Sequence, residues 1–142
     1  MKVSTILSTK RQRLITIEPG QTLQEAAVLL SQHNIGALIV VNEDVAPIGI
    51  LSERDIVRRL GQTPGAPTAL VSEVMTADIV TGLPDDDLMS VAHTMTERRF
   101  RHLPIVTDNQ LIGMISIGDV MKAQRDLYRG ERNTLETQIL AE

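Results

Sequence analysis

Apolar residues fall at Leu23, Ala26, Ala27 and Leu30, the spacing of one helix face, and Thr22-Leu23-Gln24-Glu25 has the Thr-x-x-Glu form of a capping box. The pattern then changes. Ala37 to Val41 is an unbroken aliphatic pentad, which predicts a buried strand; a polar turn from Asn42 to Pro47 separates it from a second apolar stretch, Ile48 to Leu51, and Ser52-Glu53-Arg54-Asp55 opens another helix. The same succession returns. Asp87 reads as an N-cap, Leu88, Val91, Ala92 and Met95 form one helix face, a short apolar strand reaches Val106, and a polar turn from Thr107 to Gln110 leads to a strand ending at Ser116. Each succession predicts strand, helix, strand, strand, helix, with a brief helical turn in front, "VSTIL" (3–7) or "VSEVM" (71–75).

The agreement is that of an internal repeat. With residues 15–41 set over 80–106, Pro19 falls on Pro84, Leu23 on Leu88, Ala27 on Ala92 and Gly36 on Arg101, and "IGILSERDIV" (48–57) falls on "IGMISIGDVM" (112–121). Two half-size units are each marginal alone, so they are expected to pack on one another with pseudo-twofold symmetry. The expected organisation is a first unit at 3–60, a Gly/Pro/Thr-rich linker at 61–70, a second unit at 71–122 and a tail at 123–142. In the tail, Leu127, Leu135, Ile139 and Leu140 lie at loosely helical spacing, with Gly130 as a candidate break. The fold class is α/β of the α+β type, with two β-α-β-β-α units.

Composition narrows the chemistry. At 142 residues the chain can bury roughly 70 % of its extended surface, so a real core is available. Its apolar content is aliphatic and Met, with Phe100 and Tyr128 as the only aromatics, and the net charge is -4. Reading single-stranded nucleic acid by stacking, or a phosphate backbone by charge, is therefore not expected. The absence of cysteine excludes disulfides, thiolate chemistry and Cys-based zinc sites. Met1 to Arg13 has no apolar run of signal-peptide length and no stretch is long enough to span a bilayer, so the expected location is the cytoplasm, with no membrane partner.

Both copies place a Ser-x-x-Asp directly after a Gly-apolar-apolar strand end: Ser52 and Asp55, Ser116 and Asp119. Two readings stand. In one, each is a capping box, with Ser taking a free backbone N–H and Asp complementing the helix dipole. In the other, the helix start offers N–H groups and partial positive charge to a phosphate while the carboxylate accepts both protons of a ribose diol.

These paired units, each ending in Gly-x-x-Ser-x-x-Asp and carrying "IGALIVV" or "RHLPIV" on the middle strand, resemble a tandem of cystathionine-beta-synthase (CBS) domains, a Bateman module. The resemblance covers residue 3 to about residue 122, so it is to the stand-alone bacterial CBS-pair proteins. It implies a regulatory adenine-nucleotide sensor without catalytic activity, in which AMP, ADP, ATP, NAD(H) or S-adenosylmethionine occupies the crevice between the units. By position it implies ribose contacts from Asp55 and Asp119 and ribose or phosphate contacts from Ser52 and Ser116. Adenine would be lined by Ile50, Met114 and the first strands at Ile15, Thr16 and Ile17 and at Ile79, Val80 and Thr81, with Arg101 facing phosphate. Gly36 stands where Arg101 stands in the other copy, and Arg54 where the other copy has Gly118, so the two pockets are expected to differ, with one ligand preferred. A homodimer joined through helices, and an unidentified regulated partner, are implied as well.

Other candidates have plain explanations. His33 ends a helix and His93 lies on a helix surface, neither with a metal-ligand partner at motif spacing, whereas His102 follows Arg101 and is a second candidate for ligand phosphates. The acidic run "PDDD" (84–87) precedes a helix, where capping is expected, and in "RRFRH" (98–102) Arg98 and Arg99 read as a solvated helix end. No Gly-rich loop with Lys and no nucleophile elbow is present, so the expectation is a non-enzyme with neither catalytic cofactor nor metal. The rival reading is a dimerisation scaffold whose nucleotide sites are degenerate.

Overall fold

In a computed structural model, which describes residues 1–10 and 14–141 and side chains as far as residue 130, the repeat is visible as two α/β units. The first has α1 (Val3–Thr9) ahead of it and contains β1 (Thr16–Ile17), α2 (Leu23–His33), β2 (Ala37–Val41), β3 (Pro47–Ser52) and α3 (Glu53–Gln62). The second has α4 (Val71–Val74) ahead of it and contains α5 (Leu88–Arg98), β4 (His102–Thr107), β5 (Gln110–Ser116) and α6 (Ile117–Ala141).

Helix α2 begins where the sequence predicts, with the Thr22–Glu25 capping box formed in both directions, and ends on Asn34 in the left-handed conformation. In the other copy Asp87 caps α5, its Oδ2 accepting the Ser90 N–H at 3.1 Å. Strand β2 is buried along its whole length because both of its faces are covered. Leu38 and Val40 pack with Leu23, Leu30 and Leu51 inside the first unit, while Ile39 and Val41 meet Leu111 of the second unit, with Ile50 and Met114 beside them. The aliphatic pentad is therefore part of the seam between the units.

The leading turns cross over. Helix α1 packs with the second unit: the Val3 and Ser4 N–H groups donate to the Asp86 and Pro84 carbonyls, and Val3 and Ile6 join Leu88, Met95 and Ile105 in its core. Helix α4 does the converse, with the Val71 and Ser72 N–H groups donating to Gln21 and Pro19. Each copy of the sequence thus closes the core of the other. The glycines that precede the Ser-x-x-Asp segments accommodate these turns, since a Cβ on Gly49 would lie 2.5 Å from the Met75 sulfur and one on Gly113 would lie 2.7 Å from Leu7 Cδ2.

Two expectations are corrected. The strand expected at Ile79–Thr81 is reduced to a single bridge, Gly82 to Ile105, whereas β1 pairs with β2 through Thr16–Ile39 and Ile17–Val40. Pro104 occupies the place of Ile39; its carbonyl accepts the Gly82 N–H, so its backbone faces this strand, and a proline has no N–H to give back. The stretch expected as a linker carries structure of its own: α3 runs to Gln62, Ala66–Thr68 forms a 3-10 turn with Ala66 buried, and the Ala69 carbonyl accepts the Leu23 N–H. Gly130 does not break the tail, because α6 continues unbroken from Ile117 to Ala141. Leu127 is exposed, and the side chains of Leu135, Ile139 and Leu140 lie outside the described residues.

Candidate functional site

The two Ser-x-x-Asp segments start α3 and α6 on opposite walls of one cleft of about 730 Å³. Local backbone bonds hold each start in place. The Glu53 N–H donates to the Gly36 carbonyl at 2.9 Å and, at the matching position, the Ile117 N–H donates to the Arg101 carbonyl at 2.9 Å. Both capping boxes are formed: Asp55 Oδ2 accepts the Ser52 N–H at 2.9 Å and Ser52 Oγ the Asp55 N–H at 3.2 Å, with 2.9 and 3.1 Å for Ser116 and Asp119. The capping reading is correct in both copies, and Asp55 uses only Oδ2 for it.

Gly36, Ile50, Ser52, Glu53, Arg54 and Asp55 line one side of the cleft, and Arg98 to His102 with Ser116, Ile117 and Gly118 the other. Thr76, Asp78, Ile79 and Val80 close it from the segment that follows α4. Its apolar residues are Ile50, Ile79, Val80, Phe100 and Ile117; its charged residues are Arg54, Arg98, Arg99 and Arg101 with Glu53, Asp55 and Asp78. A cleft of this volume, with an apolar wall on which charged and polar groups converge, has the form of a small-molecule site. Arg99 reaches it from a left-handed backbone position at φ 58°, the counterpart of Asn34 at the end of α2. Burial, and after it the nearby charges of Lys10 and Arg101, hold the His102 imidazole below its usual range, so it is neutral at neutral pH.

The counterpart of this cleft on the other side of the seam is much smaller, about 200 Å³, lined by Leu7, Lys10, Leu14, Ile15, Ile35, Ala37, Ile112, Gly113 and Met114. Here Lys10 Nζ lies 2.9 Å from Asp119 Oδ2 and donates to the Met114 carbonyl at 2.6 Å. Burial works against the charge on Asp119, but the Ser116 N–H and Lys10 outweigh it and hold the carboxyl below the usual range.

Of the residues singled out in the sequence, the larger cleft brings together Ser52, Arg54, Asp55, Gly36, Ile50, Ile79, Val80, Arg101, His102 and Ser116. Ile15 and Met114 lie at the smaller one, with Asp119 held there by Lys10. Thr16 and Ile17 line neither cleft; Ile17 is 2 % exposed and packs with Leu38 and Leu51, because β1 turns that side chain into the core of the first unit. Arg98 and Arg99 are exposed at the end of α5, as expected of a solvated helix end, and they also line the larger cleft. Lys10, Glu53, Thr76, Asp78, Phe100 and Ile117 were not legible as site residues. For Lys10 the one signal is positional: it stands three residues past Leu7, as Asp78 stands three past Met75.

The acidic run ahead of α5 is structural. Asp86 Oδ2 accepts the Leu83 N–H at 2.8 Å and Asp85 pairs with Lys2 at 3.5 Å, which accounts for "PDDD" together with the Asp87 cap. His93 has a carboxylate after all, Glu97, at 3.3 Å and one turn on, but both side chains are exposed. Among the described residues no group of three metal-ligating side chains is present and no helix is long and apolar enough to cross a membrane.

A family model for the CBS domain matches residues 3–62 and again residues 71–126. The CBS domain-containing protein YhcV of Bacillus subtilis (strain 168) is 40 % identical over 124 residues, which cover 83 % of this chain and 84 % of that protein. Among solved structures, the CBS-domain containing protein ATU1752 from Agrobacterium tumefaciens is similar with a TM-score of 0.80 at 36 % identity, over 87 % of this chain and 99 % of that one. The CBS domain pair of protein MJ0100, in complex with 5'-methylthioadenosine and S-adenosyl-L-methionine, is similar with a TM-score of 0.77 at 26 % identity, over 92 % and 98 % of the two chains.

Proposed function

The chain belongs to the CBS-domain family, as a pair of CBS units, and on that premise we propose that it is a regulatory sensor of an adenine nucleotide rather than an enzyme. The observation that carries this reading is the meeting of the two helix starts in one cleft whose aliphatic wall lies beside four arginines. Adenine fits the wall of Ile50, Ile79 and Val80, the ribose diol fits Asp55, and phosphate fits the α3 start with Arg54 and Arg101. The arginines favour a phosphate-bearing ligand, AMP, ATP or NAD(H), over a cationic sulfonium such as S-adenosylmethionine, although MJ0100 is described with that compound. Ligand touching both units favours one relative arrangement of them, which a partner protein reads.

The working assembly in this reading is a homodimer. Val57 and Leu60 on α3, Met89 on α5, and Met121, Leu127 and Tyr128 on α6 are exposed apolar side chains on helix surfaces, as a helical dimer face requires. The rival scaffold reading is favoured by the capping boxes, which account for both Ser-x-x-Asp segments as structure alone.

Isothermal titration of the protein with AMP, ATP, NAD and NADH decides between them. A sensor binds one of these saturably and gains roughly 2.7 kcal/mol of stability at a hundredfold excess over Kd, whereas a scaffold shows neither heat nor thermal shift.

A further inference from the structure

The two copies of the motif treat their aspartates differently. Asp55 makes its capping bonds and has no ion pair among the described residues, whereas Asp119 carries the same capping bonds and in addition the ammonium of Lys10 at 2.9 Å. Lys10 is fixed from a second direction by the Met114 carbonyl at 2.6 Å, and Met114 is the counterpart of Ile50, an apolar wall residue of the larger cleft. The side chains of Lys10 and Asp119 are 20 % and 23 % exposed, so this is a half-buried clamp and not a surface pair. In the larger cleft the residue corresponding to Lys10 is Asp78, which carries the opposite charge and cannot neutralise Asp55.

The space agrees with the charges. Sites for small molecules run from about 300 Å³ upward. The larger cleft, at about 730 Å³, is well inside that range, and the smaller one, at about 200 Å³ with Lys10 on its wall, is below it.

We propose that Lys10 is a built-in occupant of the second nucleoside subsite: its ammonium takes the place of a ribose diol on Asp119, and its stem fills the entrance, so that the chain accepts one ligand, in the larger cleft. The inference rests on the reading of Asp55 as the ribose contact. It makes Lys10, in the segment following α1, the residue that sets how many ligands the fold takes.

The test is titration of AMP into the unaltered protein, Lys10→Ala, Lys10→Met and Lys10→Ala/Asp119→Ala, with circular dichroism and thermal melts to establish that each is folded. Lys10→Met keeps the stem and loses only the charge, so it separates filling of the entrance from pairing with Asp119. The expected result is one more AMP per chain in Lys10→Ala than in the unaltered protein, no such site in Lys10→Met, whose stem still fills the entrance, and loss of the extra site in the double variant. Two sites in the unaltered protein, no added site in folded Lys10→Ala, or a full added site in Lys10→Met would overturn the proposal. The reading of the larger cleft is judged separately: an unaltered protein that binds no AMP, with Lys10→Ala binding one, would refute the Asp55 site and leave the role of Lys10 standing.

Discussion

Asp55 and Asp119 share a position in the repeat, a serine three residues before and the start of a helix, yet one lines a cleft that also holds four arginines and the other is clamped by Lys10. Asp55→Ala is expected to weaken AMP binding by about 1–3 kcal/mol through lost charge-assisted bonds, read by titration, whereas Asp119→Ala leaves it unchanged. Acid should loosen the fold in two windows. His102 is held below its ordinary value of 6.5, so its contribution is complete above that value and is lost as pH falls through the lowered one; Asp119 repeats this below its ordinary value of 3.8. Melts across the acid range should show both, His102→Asn removing the first and Lys10→Met shrinking the second. Val45 lies in the left-handed region at φ 61° and is exposed, so Val45→Asn is expected to raise unfolding stability by about 1 kcal/mol in denaturant melts. At this scale the sequence showed the serines and aspartates, because their spacing is a local signal. It did not show Lys10, whose partner is more than a hundred positions away, nor the turn of Ile17 into the core, because alternation alone does not tell which of two buried surfaces a short strand faces.

Apart from α6, the elements that build the site are short. Helices α2 and α5 were legible from their caps and apolar faces, and β2 from its unbroken aliphatic run. The first strand of the second copy was not, because the deciding residue, Pro104, lies in a different strand and acts through the N–H it lacks. Gly130 is likewise insufficient to end α6, a single glycine costing a helix only about 1 kcal/mol. Gly49 carries the closest approach between a leading turn and a strand, with the Thr76 carbonyl 3.1 Å from a would-be Cβ in addition to the Met75 side chain. Gly49→Ala should therefore destabilise by about 1–3 kcal/mol in chemical denaturation, through overpacking that a backbone carbonyl cannot relieve.

For the whole molecule, the exchange of leading turns means that the two sequence copies are not two independent spatial units: α1 completes the core of the second and α4 that of the first. The pseudo-twofold was legible from the repeat, but the crossing was not, because a repeat gives the order of elements and not which copy of a turn fills which core. The crossing ties the seam to both clefts, as Thr76, after α4, bridges Ile50 in the larger one and Lys10, after α1, holds Met114 in the smaller one. A ligand that pulls on the larger cleft thus acts on both units at once. The most direct measurement is a titration with AMP followed by NMR of the isoleucine methyl groups. The account predicts that Ile50, Ile79 and Ile117 in the larger cleft shift saturably while Ile15 at the smaller cleft and Ile6 in the core do not. Saturable shifts confined to Ile15, or none at millimolar AMP, ATP and NAD, would contradict it.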